Sequence, residues 1–122
     1  MITYCIHSKI TKENHKISTK YPYALSKYLG ELTCLHWAKV YSLPIISIRI
    51  FNAYGTRSKT SGTYGAVFGV FLRQKLASKP YTVVGNGEQK RDFLYVTDVA
   101  KAFYQASLSK KNGEIYNLGA GN

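Results

Sequence analysis

The most constraining feature of this sequence is a long apolar helical segment that runs directly into a β-branched segment. From Pro22 to Ser42 apolar residues recur at helical spacing, and Pro22 suits the first turn of a helix because its missing N–H would have no intrahelical partner there. Residues 44–51 are almost continuously apolar and β-branched, which is typical of a strand buried on both faces of a parallel sheet. A helix followed by such a strand is half of a βαβ unit. The sequence therefore predicts an α/β protein.

Further elements are predicted on either side of this unit. Residues 1–20 show no clear periodicity and are predicted to be loop. After a polar loop at residues 58–65, the pattern predicts a helix at about 66–78, a strand at 80–84, a turn at 85–87, a strand at 91–96, a helix at 98–108 capped by Thr97, and a strand at 113–118.

The first predicted helix carries a candidate acid/base pair. Its only formal charges are Lys27, Glu31 and Lys39, and a helix that is apolar nearly all round is expected to be buried. Tyr23 and Lys27 stand four residues apart and therefore share a helix face. An adjacent ammonium favours the phenolate, so the pair could act as a general acid/base near neutral pH. The alternative is a surface Tyr and Lys on a solvated face.

Asn52 is a candidate binding residue because of its place after the buried strand. In open parallel sheets, ligands bind outside the carboxyl ends of the strands. Asn52 follows residues 44–51 directly, so it would lie at that edge. The alternative is that Asn52 caps the turn.

Composition limits the classes of protein that fit. A chain of 122 residues with 45% hydrophobic residues forms a core and is one modest domain or part of a larger one. No apolar run approaches the ~20 residues of a membrane span, and residues 1–20 lack the apolar region of a signal peptide. Cys5 and Cys34 fit neither a metal site nor a disulfide framework, which predicts reduced thiols in a cytoplasmic protein.

The formal net charge of +11 raises the possibility of a nucleic-acid-binding module. The lysines, however, are scattered singly, apart from the doublet Lys110-Lys111, and form no basic run. We therefore expect no nucleic-acid partner. Positive charge would also help to attract an anionic small substrate such as a nucleotide diphosphate.

Two other site classes are not supported by the residues. Gly119-Ala120-Gly121 is followed only by Asn122, so no helix follows in this sequence to carry a pyrophosphate at its N-terminus. No metal is predicted, because no histidine stands beside a paired carboxylate or thiolate. These isolated histidines are His7, His15 and His36.

Four segments, in this order, resemble the extended short-chain dehydrogenase/reductase family, in particular its NAD-dependent nucleotide-sugar epimerases and dehydratases. They are Pro22-Tyr23-Ala24-Leu25-Ser26-Lys27 with Gly30-Glu31, then Arg49-Ile50-Phe51-Asn52-Ala53-Tyr54-Gly55, then the stretch from Gly85 to Ala100 with Arg91-Asp92-Phe93-Leu94-Tyr95-Val96, and finally Tyr116-Asn117-Leu118-Gly119.

The resemblance implies a role for each candidate site residue. Tyr23 would be the catalytic acid/base, and Lys27 would bind the nicotinamide ribose of NAD and favour the Tyr23 phenolate. Phe51 would form a wall of the nicotinamide pocket. Asn52 would bind the nucleotide sugar, and Arg91 would clamp its pyrophosphate, as suits a bidentate guanidinium. The helix from Pro22 to Ser42 would be one side of a homodimer interface.

The resemblance also implies the fold and its division into domains. It predicts an α/β chain that holds the C-terminal part of a Rossmann-like parallel sheet plus part of a smaller α/β substrate domain. Residues 1–56 would supply the catalytic helix and strand from the late part of the Rossmann-like domain. Residues 57–122 would form a partial substrate-binding region with segments that return to the Rossmann-like domain.

Departures from the family pattern qualify the expected activity of the isolated chain. The glycine-rich phosphate turn is absent, and alignment of Glu13-Asn14 and Tyr4-Cys5 puts the family's catalytic Ser or Thr just upstream of Met1. We therefore expect a middle-to-late section of an enzyme that binds NAD weakly by itself. Motifs around Arg91 lean toward an epimerase over a dehydratase. The alternatives are a non-catalytic remnant that associates through its helix and, least favoured, a basic nucleic-acid-binding module.

Overall fold

The structure is a computed structural model that describes residues 11–59 and 67–121. Its helices are α1 (Pro22–Tyr41), α2 (Val67–Leu76) and α3 (Val96–Leu108), and its strands are β1 (Ile46–Ile50), β2 (Asn52–Tyr54), β3 (Phe93–Tyr95) and β4 (Glu114–Leu118). No helix in these two ranges is long and apolar enough to cross a membrane. Predictions that fall on residues 1–10, which include Cys5 and His7, lie outside the described residues, as does most of the loop predicted at 58–65.

The strands form two parallel pairs, which confirms the predicted α/β class. β1 pairs with β4 from Ile46 opposite Glu114 to Ile50 opposite Leu118. β2 pairs with β3, with Asn52 opposite Phe93. Parallel strands need a crossover connection between them, and the helices that precede β3 and β4 lie within these connections.

Helices lie on both faces of the β1–β4 pair. Successive side chains of a strand point to opposite faces. Arg49 of β1 reaches Glu31 of α1, whereas Ile46 and Ile48 line a cavity of about 310 Å³ together with Ala106 of α3. The result is a three-layer arrangement of α1, sheet and α3.

The β2–β3 pair packs through aromatic side chains. Phe68 of α2 lies 4.9 Å from Tyr54 and 4.7 Å from Phe93, measured between ring centroids. Tyr95 lies 5.3 Å from Tyr54. These edge and tilted contacts are the arrangements that aromatic pairs prefer, and they attach α2 to the second strand pair.

The predicted first helix is confirmed, but the prediction that it is buried all round is wrong. Pro22 lies in the first turn, and Ser42 ends the helix in a left-handed conformation with φ 52°. Ala24, Glu31 and Ala38 are buried at seven-residue spacing, because only this stripe is covered by described residues such as those of β1. The opposite side is open, with Leu29 at 53% exposure, and Lys27 is also exposed.

Three other predictions differ from the structure. Residues 80–84 form no strand; instead Gln74 Oε1 accepts a hydrogen bond from Thr82 N at 3.2 Å and so ties this segment to α2. The strand predicted at 91–96 is confined to β3. Thr97 is not a cap, because α3 begins at Val96 with Tyr95 in the extended N-cap conformation.

Candidate functional site

The structure places Tyr23 and Lys27 together on the first turns of α1. Lys27 Nζ lies 5.5 Å from the centroid of the Tyr23 ring, within the range of a cation–π contact. Tyr23 is half-buried and Lys27 is exposed. The pair therefore presents a sheltered phenol beside a solvent-accessible ammonium, which matches the neighbouring placement predicted from the sequence. A role in catalysis stays a prediction.

Phe51 and Asn52 lie where β1 passes into β2. The backbone N–H of Phe51 donates to the Leu118 carbonyl at 3.0 Å, which continues the β1–β4 ladder by one residue. Asn52 Nδ2 donates to the Asp92 carbonyl at 2.9 Å, and its backbone N–H approaches the same oxygen at 3.3 Å. Both side chains are half-buried, and the Asn52 amide is already anchored by its nitrogen.

Arg91 stands beside this cluster but does not contact Asn52 through its guanidinium. Its Nη1 donates to the neighbouring Lys90 carbonyl at 2.8 Å, and the side chain is exposed. The residue that contacts Asn52 is Asp92. Among the described residues, Arg91 takes part in none of the ion pairs, so its charge is available to an anion.

Sequence reasoning missed a buried ion pair between α1 and β1. Arg49 Nε donates to Glu31 Oε2 at 2.7 Å, and Nη2 donates to Oε1 at 2.6 Å. The two side chains are 4% and 3% exposed. The pair joins the helix that carries Tyr23 to the strand that leads into Phe51.

Arg49 also holds the segment before α1 to the sheet. Its Nη1 donates to the Glu13 carbonyl at 2.8 Å, and the Glu13 carboxylate accepts the backbone N–H of Asn117 in β4 at 2.9 Å. Asn117 Nδ2 donates to the Thr11 carbonyl at 2.8 Å. The pKa of Glu13 lies below its usual value of 4.5 because its carboxylate accepts hydrogen bonds from the backbone N–H groups of Asn117 and of Glu13 itself. Partial desolvation opposes this shift, and the charge of Arg49 adds to it.

The sequence did contain a signal for the buried pair. Glu31 is the one acidic residue of the predicted helix, and Arg49 is the one charged residue of the apolar segment 44–51. Charges are almost never fully buried unless they are paired. The carboxylate of the helix and the guanidinium of the adjacent strand are therefore expected to pair. Asp92 gave no comparable signal, because an aspartate beside Arg91 in a polar stretch is ordinary.

Within the ranges 11–59 and 67–121, no group of three or more His, Cys, Asp or Glu side chains could hold a metal ion. The candidate binding groups are instead the Lys27 ammonium, the Arg91 guanidinium and the aromatic ring of Phe51. These groups suit an anionic ligand with a flat ring.

Comparisons with known proteins identify the family of the chain. The profile described as "NAD dependent epimerase/dehydratase family" matches residues 4–119. A putative UDP-glucose 4-epimerase from Methanocaldococcus jannaschii is 41% identical over 109 residues, which are 89% of this chain and 35% of that protein. A dTDP-glucose 4,6-dehydratase from Escherichia coli is 34% identical over 110 residues, which are 90% of this chain and 29% of that protein.

A solved structure gives the same result for the fold. A UDP-glucuronic acid 4-epimerase from Bacillus cereus, crystallised with UDP-glucuronic acid and NAD, superposes with a TM-score of 0.82 at 33% identity. The match covers 93% of this chain and 35% of that one. The chain thus spans about a third of the length of the relatives that it matches.

Proposed function

Because this chain belongs to the NAD dependent epimerase/dehydratase family, we propose that the protein is an NAD-dependent nucleotide-sugar epimerase or dehydratase that works by hydride transfer. The single observation that carries this proposal is the Tyr23–Lys27 pair, half-buried phenol and exposed ammonium, at the start of α1. This is the place where the family resemblance puts the acid/base.

In the proposed mechanism Tyr23 holds and moves one proton. As the phenolate, it accepts the proton of a sugar hydroxyl, and as the phenol it returns that proton. Lys27 favours the phenolate through its charge and binds the nicotinamide ribose through its N–H donors. NAD, when bound, supplies the acceptor for the hydride that leaves the sugar carbon.

Phe51 packs against the loop that follows β4. A Cβ at Gly119 would lie 2.8 Å from Phe51 Cδ2, so the ring lies flush against backbone that carries no side chain. Phe51 would line the nicotinamide pocket, while Asn52 and Arg91 would bind the sugar and the pyrophosphate of the substrate.

The proposed domain division is supported by strand pairing. Residues 1–56 would supply the catalytic helix and strand of the Rossmann-like domain, and residues 57–122 a partial substrate-binding region. β4 pairs with β1 along five residues, as expected of a segment that returns to the first domain. The prediction of a cytoplasmic enzyme rests on the cysteine content alone.

We further propose that the protein is a homodimer through the outer face of α1. Leu25 and Leu32 are each 43% exposed, Leu29 is 53% exposed and Val40 is 54% exposed. They lie on the side of the helix away from the buried Glu31. Contiguous exposed apolar surface of this kind marks interaction sites.

The alternative function is a non-catalytic protein that acts only through association of this same helix. The specific observation behind it is the exposed apolar face of α1. Turnover of a nucleotide sugar distinguishes the two functions, because a remnant has none. We expect the isolated 122-residue chain to bind NAD weakly in either case.

The test is turnover of nucleotide sugars by the longest protein that the gene encodes. Tyr23→Phe removes the hydroxyl alone and should lower kcat by about 10²–10⁴-fold without a change in melting temperature. Tyr41→Phe is the matched control, because Tyr41 lies at the far end of α1 and is 65% exposed. Equal turnover by Tyr23→Phe and Tyr41→Phe would remove Tyr23 from the proposed role.

A further inference from the structure

Asp92 lies where three parts of the chain meet, just before β3. Its backbone carbonyl accepts hydrogen bonds from Asn52, at 2.9 Å from Nδ2 and 3.3 Å from N. Its carboxylate accepts the backbone N–H of Ala120 at 2.7 Å and that of Gly121 at 3.3 Å. One half-buried residue thus joins the start of β2 to the loop that follows β4.

The loop after β4 is shaped to receive this carboxylate. A Cβ at Gly119 would collide with the Asp92 carboxylate and would lie 2.8 Å from Phe51 Cδ2. Only glycine leaves room for both groups at this point. The carboxylate is therefore held against bare backbone, next to the proposed wall of the nicotinamide pocket.

The chemistry of the loop decides which groups remain free for an anion. Successive backbone N–H groups that point to one place form an anion-binding concavity. In this chain the Asp92 carboxylate fills the concavity, so the N–H groups of Ala120 and Gly121 already donate within the protein. An anionic ligand here would instead be held by the exposed guanidinium of Arg91, the residue that precedes Asp92.

We infer that Asp92 is a positioning residue for the nucleotide diphosphate of the substrate, an inference that rests on the proposed function. Its carbonyl fixes the Asn52 amide, and its carboxylate fixes the backbone that carries Arg91 against the loop at residues 119–121. Asp92 thereby sets the separation between the two groups that would bind the sugar and the diphosphate.

The experiment measures binding of UDP, of dTDP and of NAD to the longest protein that the gene encodes, by calorimetry. Asp92→Asn keeps one acceptor oxygen but places a donor amide against a backbone N–H, so one charge-assisted hydrogen bond is lost. We expect about tenfold weaker binding of the nucleotide diphosphate, with NAD affinity unchanged and with a folded protein by circular dichroism. Asp98→Asn is the matched control, because the Asp98 carboxylate is 53% exposed and lies 3.5 Å from Lys101. The Asp98→Asn protein should bind UDP, dTDP and NAD as the wild type does.

The outcomes separate the inference from the proposed function. A wild-type protein that binds neither UDP nor dTDP overturns the proposed function and the inference with it. A wild-type protein that binds one of them, with equal binding by Asp92→Asn, overturns the inference alone. Equal losses of NAD and nucleotide binding would show a general structural role and would also overturn it.

A second variant covers the case in which Asp92→Asn does not fold. Asp92→Glu keeps the charge but displaces the carboxylate by one methylene from the two N–H donors. Nucleotide binding weaker than that of the wild type, with NAD binding retained, supports the inference. Unchanged nucleotide binding by Asp92→Glu overturns it.

Discussion

The buried pair between Glu31 and Arg49 gives the sharpest stability prediction. Glu31→Ala would leave the Arg49 guanidinium, whose side chain is 4% exposed, without its carboxylate partner. Breaking a buried pair in this way costs about 3–5 kcal/mol of unfolding free energy. The two lost charge-assisted hydrogen bonds, at about 1.5–3 kcal/mol each, lead to a similar total.

Replacing both charges should have a much smaller effect. Removing two ions from the interior also removes the cost of their desolvation, so a well-packed apolar pair is often neutral or stabilising. We expect the double variant Glu31→Leu with Arg49→Met to lie within about 2 kcal/mol of the wild type, because Arg49→Met also removes the hydrogen bond to the Glu13 carbonyl. The difference between single and double variants isolates the cost of the unpaired charge.

Urea denaturation followed by circular dichroism measures these free energies on the longest protein that the gene encodes. Asp98→Ala is the control, because its pair with Lys101 is exposed, spans 3.5 Å and should contribute at most about 0.5 kcal/mol. The reasoning is refuted if Glu31→Ala destabilises the protein no more than Asp98→Ala does. It is also refuted if the double variant is as unstable as the single one.

Two further predictions concern the Glu13 contact and the outer face of α1. The lowered pKa of Glu13 means that its contribution to stability is present above its ordinary pKa of 4.5 and is lost as the pH falls through the lower folded value. The melting temperature of Glu13→Gln should therefore be lower than that of the wild type at about pH 7 and equal to it at about pH 2. A difference in melting temperature that persists in acid would contradict this. Leu29→Lys should convert a dimer into a monomer in sedimentation, whereas Leu108→Lys, at a residue 67% exposed on α3, should not; a dimer that survives Leu29→Lys would exclude this face as the interface.

The sequence predicted the elements that local pattern determines. Pro22 and the spacing of apolar residues gave the start and course of α1, and the β-branched run around Ile48 gave β1. These features depend on neighbouring residues, so they can be derived without tertiary structure. Thr97 failed as a cap because α3 begins at Val96, two residues earlier than predicted, a shift typical of predicted helix ends.

Contacts between distant segments could not be derived in the same way. Glu31 and Arg49 are 18 residues apart, and Asn52 and Asp92 are 40 apart, so each contact depends on how strands and helices pack. The exposure of the outer face of α1 also depends on what covers the helix, which apolar periodicity does not specify. The candidate site was thus predicted residue by residue, but the groups that hold it in place were not.

The measurement that tests the account most directly is the absorbance of reduced nicotinamide when a nucleotide sugar is mixed with the NAD-loaded protein, in the wild type and in Tyr23→Phe. We expect a transient rise in reduced nicotinamide in the wild type and little or none in Tyr23→Phe, because the hydride cannot leave the sugar unless the hydroxyl proton is taken up. Turnover without any reduction of the nicotinamide, or equal reduction in both proteins, would contradict it.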